Sequence, residues 1–348
     1  MSGALAELVR VHRSGFHEGS HVGSLVITEP DGSVRVRYGD PDAAILPRSC
    51  AKPLQAAGML DAGVDLAAAE LAIAAGSHTG ETDHVDRVGH MLSRIGVAES
   101  ELACPIAWPA DPGAHAQAIR HGRRRRVFME CSGKHAAMLA TCRARGWRTG
   151  DYVDPEHPLQ QRIRSTIGRI TGQQLSAVAV DGCGTPVFAV PLTALARGFG
   201  SLAVAPAGGA ERAVADAIRT HPEMVAGTGE LDTLLMRAVP GLIAKRGADG
   251  VHCVALADGT GIAVKIADGG LRAHLPLLVG ALASLGVEVN PAVDLAGLHD
   301  RYSAVLTGGG RPVGSVDLAP ALADLLASRK SRARWSTVRL PALMSAVN

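Results

Sequence analysis

Aromatic side chains are scarce, at 3% of 348 residues, so the chain offers no stacking platform for nucleic-acid bases. Charge of one sign is lacking too. Its 35 Lys and Arg against 33 Asp and Glu leave a net charge of +2, too weak a field to select nucleic acid or a membrane surface as partner. No uninterrupted apolar run approaches the roughly 18 residues of a membrane span. The opening M-S-G-A-L-A-E-L-V-R-V-H-R has no basic segment followed by a long apolar one, and Glu7 interrupts it, so no secretory leader is expected. Six cysteines (Cys50, Cys104, Cys131, Cys142, Cys183 and Cys253) lack the dense spacing of a disulfide scaffold. A cytoplasmic chain with free thiols is expected, and a metal site stays open. Neither internal repeats nor a low-complexity linker divide the chain.

What is present is a hydrophobic share of 47%, enough for a large core in one domain or two tightly joined ones. Residues 45–55 read I-L-P-R-S-C-A-K-P-L-Q and hold the first chemical signal. Pro53 lacks an N–H and fits best in the first turn of a helix, which places the helix start near Cys50. Ser49 then stands at the turn and Lys52 three residues on, over the same face. A lysine can take a serine proton only if burial or a second cation lowers its pKa from about 10.4 towards about 7–8. S-x-x-K alone is common by chance, so its value depends on what converges with it.

Along the chain, residues 22–28 and 34–39 read as a hairpin across Pro30-Asp31-Gly32. An Ala-rich helix over 66–75 precedes Ser77-His78-Thr79-Gly80-Glu81, and an apolar stripe of Val85, Val88, Met91, Leu92 and Ile95 marks the next helix, with Thr79 or Thr82 as its N-cap. Residues 104–126 read as loop, and their four consecutive arginines as solvated surface. Glu130-Cys131-Ser132-Gly133-Lys134-His135 opens a helix, where backbone N–H groups favour an anion. Asp154-Pro155 reads as an N-cap and N1 pair, and a strand over 177–180 ends in Asp181-Gly182-Cys183-Gly184-Thr185-Pro186. Helices are expected over 187–198, 209–219, 229–240 and 271–285. Strands over 251–256 and 260–266 meet across Asp258-Gly259, with Lys265 in the second, either as an edge charge or as a site lysine. The pattern predicts α/β with a largely antiparallel sheet.

Six stretches therefore stand out: R-S-C-A-K-P (48–53), G-S-H-T-G-E (76–81), C-S-G-K-H (131–135), D-G-C-G-T-P (181–186), H-P-E-M-V-A-G (221–227) and G-I-A-V-K-I (261–266). Their order and wording resemble the Rhizobium-type L-asparaginases of the asparaginase II family, over about residues 8–318. The resemblance implies a serine-β-lactamase/glutaminase-like α+β fold in a single catalytic unit over 1–348. Its sheet would come from about 8–50 and 245–318, its helical region from about 50–245, with 319–348 as a tail. It also implies two catalytic Ser-Lys pairs, Ser49 with Lys52 and Ser77 with Lys265, and substrate or site-ordering contacts from Arg48, His135 and Asp181. Zinc on Cys131, Lys134 and Cys183 and a homodimer follow from the same resemblance.

The chemistry is coherent in its own terms. A neutral lysine deprotonates a serine, the alkoxide attacks the side-chain amide of L-asparagine, ammonia leaves, and water hydrolyses the acyl-enzyme. Backbone N–H groups near a helix start can hold the oxyanion. Asp181 suits the substrate ammonium and Arg48 its carboxylate. Another Ser-Lys acylase of the penicillin-recognising type is the nearest rival, although the chain has neither S-D-N nor K-T-G. A catalytically silent amino-acid-binding protein is the rival from another class.

Overall fold

The computed structural model describes residues 5–287, 302 and 304–329. The first turn is Ser14-Gly15, whose φ values of 49° and 80° suit a two-residue hairpin whose twist matches its strands. It joins β1 (Ala6–Arg13) to β2 (Phe16–Thr28), and Pro30-Asp31-Gly32 carries the chain into β3 (Val34–Tyr38). β2 and β3 pair antiparallel from Leu25↔Tyr38 to Thr28↔Val34, the hairpin expected over 22–28 and 34–39.

After β4 (Ala44–Ile45) the chain becomes helical: α1 (Lys52–Asp61), α2 (Ala68–Ala74), α3 (Thr82–Arg94), α4 (Pro112–Arg120), α5 (Ser132–Arg145) and α6 (Pro158–Thr171). Three short strands follow, β5 (Val178–Val180), β6 (Pro186–Phe188) and β7 (Val190–Pro191). Then come α7 (Leu192–Ala203), α8 (Ala210–Thr220), α9 (Pro222–Val225) and α10 (Leu231–Ala238). Among the described residues there follow β8 (Ile243–Arg246), β9 (Val251–Ala255), β10 (Gly261–Ile266), α11 (His274–Ser284), β11 (Val305–Gly308), β12 (Arg311–Leu318) and α12 (Pro320–Ser328).

The main sheet runs β11-β12-β1-β2-β10-β9-β8, with β3 also on β2, and each of these pairings is antiparallel. Strands from the two ends of the chain meet where Lys265 of β10 lies opposite Ser24 of β2. β2 has strands on both sides, so from Leu25 to Thr28 every residue is buried, whereas β11 stays partly or fully exposed. Helix α7 packs on β2, β9 and β10, and α11 on β1, β10 and β12. Helices α1, α2, α5, α6 and α8 pack on one another to form the rest of the core.

Several local expectations are corrected. Residues 104–126 are not all loop, because Asp111 caps α4 by accepting from the Ala114 N–H at 2.7 Å, with Pro112 in the first turn. The same Asp-Pro pair at 154–155 does not open a helix. α6 starts at Pro158, capped by His157, whose ring accepts from the Leu159 N–H at 3.1 Å. α3 has Glu81 at its N-cap position instead of Thr79 or Thr82. Residues 186–191 form β6 and β7, which delays α7 to Leu192. The 319–348 tail begins as α12, whose Leu322 and Leu326 are buried; residues 330–348 lie outside the described residues.

Candidate active site

The serine turn comes first. Arg48–Ala51 form one tight 3₁₀ turn, and α1 continues from Lys52 with Pro53 in its first turn, two residues later than the expected start near Cys50. Arg48 has φ +51°, a left-handed conformation uncommon outside glycine. The turn is held from behind, where the Cys50 thiol donates to the Lys245 carbonyl of β8 at 2.9 Å.

Lys52 is 1% exposed, and its ammonium donates to the Gly76 carbonyl at 2.6 Å and to Ser77 Oγ at 2.8 Å. The lysine of the first motif therefore meets the serine of the second. Ser49 is 6% exposed, and its hydroxyl makes no hydrogen bond among the described residues. Lys265 takes a different position from the Ser77 pairing implied by the resemblance. Its ammonium donates to the Asp249 carbonyl and to the Ile266 carbonyl. Burial, then the Arg48 charge, pull its pKa down.

The Ser77 loop is fixed by the helix that follows it in space. His78 accepts the Gly80 N–H on Nδ1 at 3.1 Å, so its Nε2 proton points to Ser132 Oγ at 2.8 Å. Ser132 in turn donates to the Val127 carbonyl at 2.9 Å. Burial holds His78 well below the ordinary imidazole pKa, which fits this neutral tautomer. α5 and α2 lie so close that a Cβ on Gly133 would meet Ile73 at 2.8 Å.

Beside this lies the second cluster. Lys134 donates to Cys183 Sγ at 3.0 Å and to Thr185 Oγ1 at 2.7 Å, which leaves the Thr185 hydroxyl proton for Cys183 at 3.2 Å. The neighbouring Cys131 thiol, then Lys134 and His135, pull the Cys183 pKa down against the opposing effect of burial. Burial pulls the Lys134 pKa down, but the Cys183 and Cys131 sulfurs outweigh it and the amine stays a cation. His135 is oriented by Tyr152, whose hydroxyl accepts the Ala103 N–H at 2.9 Å and donates to Nδ1 at 2.6 Å. That leaves the proton on His135 Nε2, which is buried and has no hydrogen-bond partner among the described residues.

Arg48 closes the group. Its Nε donates to Asp181 Oδ1 at 2.7 Å, and its outer nitrogen pairs with Asp249. Asp181 is also tied to the Gly182 N–H at 2.9 Å. A family model, L-asparaginase II, matches residues 9–318. The chain belongs to the L-asparaginase II family. No curated protein matches it. The six stretches singled out in the sequence all lie inside the matched span of this family member. No described helix is long and apolar enough to cross a membrane.

Sequence reasoning passed over Thr185, Tyr152, Lys245 and Asp249. Thr185 lay inside a quoted motif and Asp249 sits in an Asp-Gly turn, a readable signal. Tyr152 and Lys245 carried none. Lys52, Lys134 and Lys245 are among the largest fully buried side chains, which is unusual for lysine.

The zinc set implied by the resemblance is Cys131, Lys134 and Cys183. Among the described residues no group of three or more His, Cys, Asp and Glu is arranged for a metal, so any such site depends on the lysine. Two sulfurs and one amine, each at most 2% exposed, do converge here and suit zinc by softness, provided that the amine gives up its proton.

Proposed function

We propose that this family member hydrolyses L-asparagine to L-aspartate and ammonia through an acyl-enzyme on Ser49. The observation that carries the reading is a buried amine of the first motif bonded to the serine of the second. Lys52 is hydrogen-bonded to Ser77 and stands three residues after Ser49, with Ser49 in the 3₁₀ turn and Lys52 opening α1. In the neutral state Lys52 accepts the Ser49 proton as the hydroxyl oxygen attacks the amide carbon. Ser77 relays that proton towards the leaving ammonia, and the reverse path activates water for hydrolysis of the ester. Arg48 faces the substrate carboxylate, and Asp181, already held by Arg48 and Gly182, faces the ammonium. Lys265 adds positive charge beside Arg48.

Zinc, when bound, would sit on Cys131, Lys134 and Cys183 and supply a fixed positive charge next to the substrate. His135, held by Tyr152, would add its charge-stabilising influence beside Cys183. The antiparallel sheet and a Ser-x-x-Lys at a helix start support the serine-β-lactamase/glutaminase-like reading of the fold, and the resemblance supports a cytoplasmic homodimer.

The test is ammonia release from L-asparagine by the wild type and by Ser49→Ala and Ser77→Ala, with intact mass measured after rapid quenching. An aspartyl adduct on the wild type and on Ser77→Ala, but absent from Ser49→Ala, supports Ser49 as nucleophile. An adduct that survives Ser49→Ala overturns it. No ammonia from asparagine at all removes the reading.

A further inference from the structure

Two carboxylates hold the guanidinium of Arg48, and they are not alike. Asp181 is 10% exposed in its side chain and doubly bonded, by Arg48 Nε and the Gly182 N–H. Asp249 is 67% exposed, and Arg48 is the only donor to its carboxylate among the described residues. Asp249 sits at the tip of the β8–β9 hairpin. Asp249 and Gly250 have φ values of 53° and 76°, and the Val251 N–H returns to the Ala248 carbonyl at 3.4 Å. This Asp-Gly turn projects the carboxylate over Arg48 from outside, and the backbone that carries it is fixed by the strand ladder, Arg246↔His252 being the last pair. The Asp249 carbonyl also receives the Lys265 ammonium, so the residue touches two cations through two different groups.

Asp249 thus offers Arg48 the same chemistry that the α-carboxylate of an amino acid would offer. An exposed ion pair of this kind is weak and readily exchanged, whereas the buried Asp181 contact is not. We propose that the Asp249 carboxylate is a displaceable stand-in for the substrate carboxylate. It occupies the outer face of Arg48 when the site is empty and swings out about its own side-chain bonds when an amino acid arrives. This rests on the asparaginase reading for the identity of the ligand, and it makes Asp249 a residue that sets affinity by competition and touches no reacting atom. Only the fraction of molecules with Arg48 released binds directly, so apparent affinity is reduced by that fraction.

The test is Asp249→Asn, which keeps the left-handed turn that asparagine tolerates and removes the charge. The KM for L-asparagine should fall by about two- to fivefold, the range that an exposed pair permits, with kcat unchanged. The KM for asparaginamide, which has no α-carboxylate, should not move. Asp268→Asn removes a charge of the same sign from the Lys265 neighbourhood without touching Arg48, and should leave both KM values unchanged. Calorimetric binding of L-aspartate, which needs no turnover, should tighten by the same factor in Asp249→Asn alone. The proposal is overturned if Asp249→Asn leaves L-aspartate affinity unchanged or weakens it, if asparaginamide gains equally, or if Asp268→Asn matches it. A wild type that binds L-aspartate but releases no ammonia would instead sink the asparaginase reading and leave the binding comparison to decide the stand-in.

Discussion

Lys52 donates to Ser77 Oγ at 2.8 Å, although 25 positions separate them in the chain. The lysine three residues after the first serine is thus spent on the second, and the same nitrogen is held by the Gly76 carbonyl at 2.6 Å. Both bonds run from a side chain that is 1% exposed, so a proton moving between Lys52 and Ser77 has a short, dry path.

It follows that Ser77→Ala should lower kcat for ammonia release by about 10²–10⁴-fold, the usual worth of a proton relay, with little change in KM. Steady-state kinetics with circular dichroism as a folding check would read this. A variant that keeps full kcat would remove Ser77 from the reaction.

Zinc content is expected to follow Cys183. The purified protein should carry about one zinc per chain, and Cys183→Ser should lose it, as measured by elemental analysis. Tyr152→Phe should keep the donors and weaken affinity by about 10–100-fold, because the hydroxyl that fixes the His135 tautomer is gone. Metal-free wild type in repeated preparations, loaded or not, would end the zinc reading.

Gly247 lies where a Cβ would meet the Pro47 carbonyl at 2.7 Å and the Cys50 sulfur at 3.2 Å. Gly247→Ala should therefore push the serine turn off β8, costing about 1–3 kcal/mol in denaturant unfolding and lowering kcat together with stability. An unperturbed unfolding midpoint would show that the turn has room to give.

Lys245 bears on stability instead. Burial pushes its pKa down to about 8, Asp232 at 3.8 Å opposes this, and Lys52 adds to it. Below pH 8 both folded and unfolded chains hold the proton. Above it the folded chain releases the proton first, so the unfolded state binds more protons and stability rises with pH. Between pH 8 and 9 the wild type should gain up to about 1 kcal/mol relative to Lys245→Met, other titrating groups cancelling in the difference. Urea midpoints of the two proteins at both pH values measure it, and parallel curves would place the Lys245 pKa outside this window.

The local chemistry was readable from residue order. Pro30-Asp31-Gly32 and Asp258-Gly259 each mark a hairpin, Pro53 the first turn of α1, and the six stretches in order mark the family, because each depends only on turn geometry or on a helical repeat within a few positions. Asp154-Pro155 misled for the same reason, since a cap pair permits a helix without compelling one there and His157 caps it three residues on. That Lys52 bonds Ser77, that Lys245 backs the serine turn and that Asp249 shares Arg48 came only from the packing of elements distant in the chain. Ser77, Lys245 and Asp249 lie 25 to 201 positions from their partners, and at such distances contact is decided by how elements pack, a quantity with no period in the sequence.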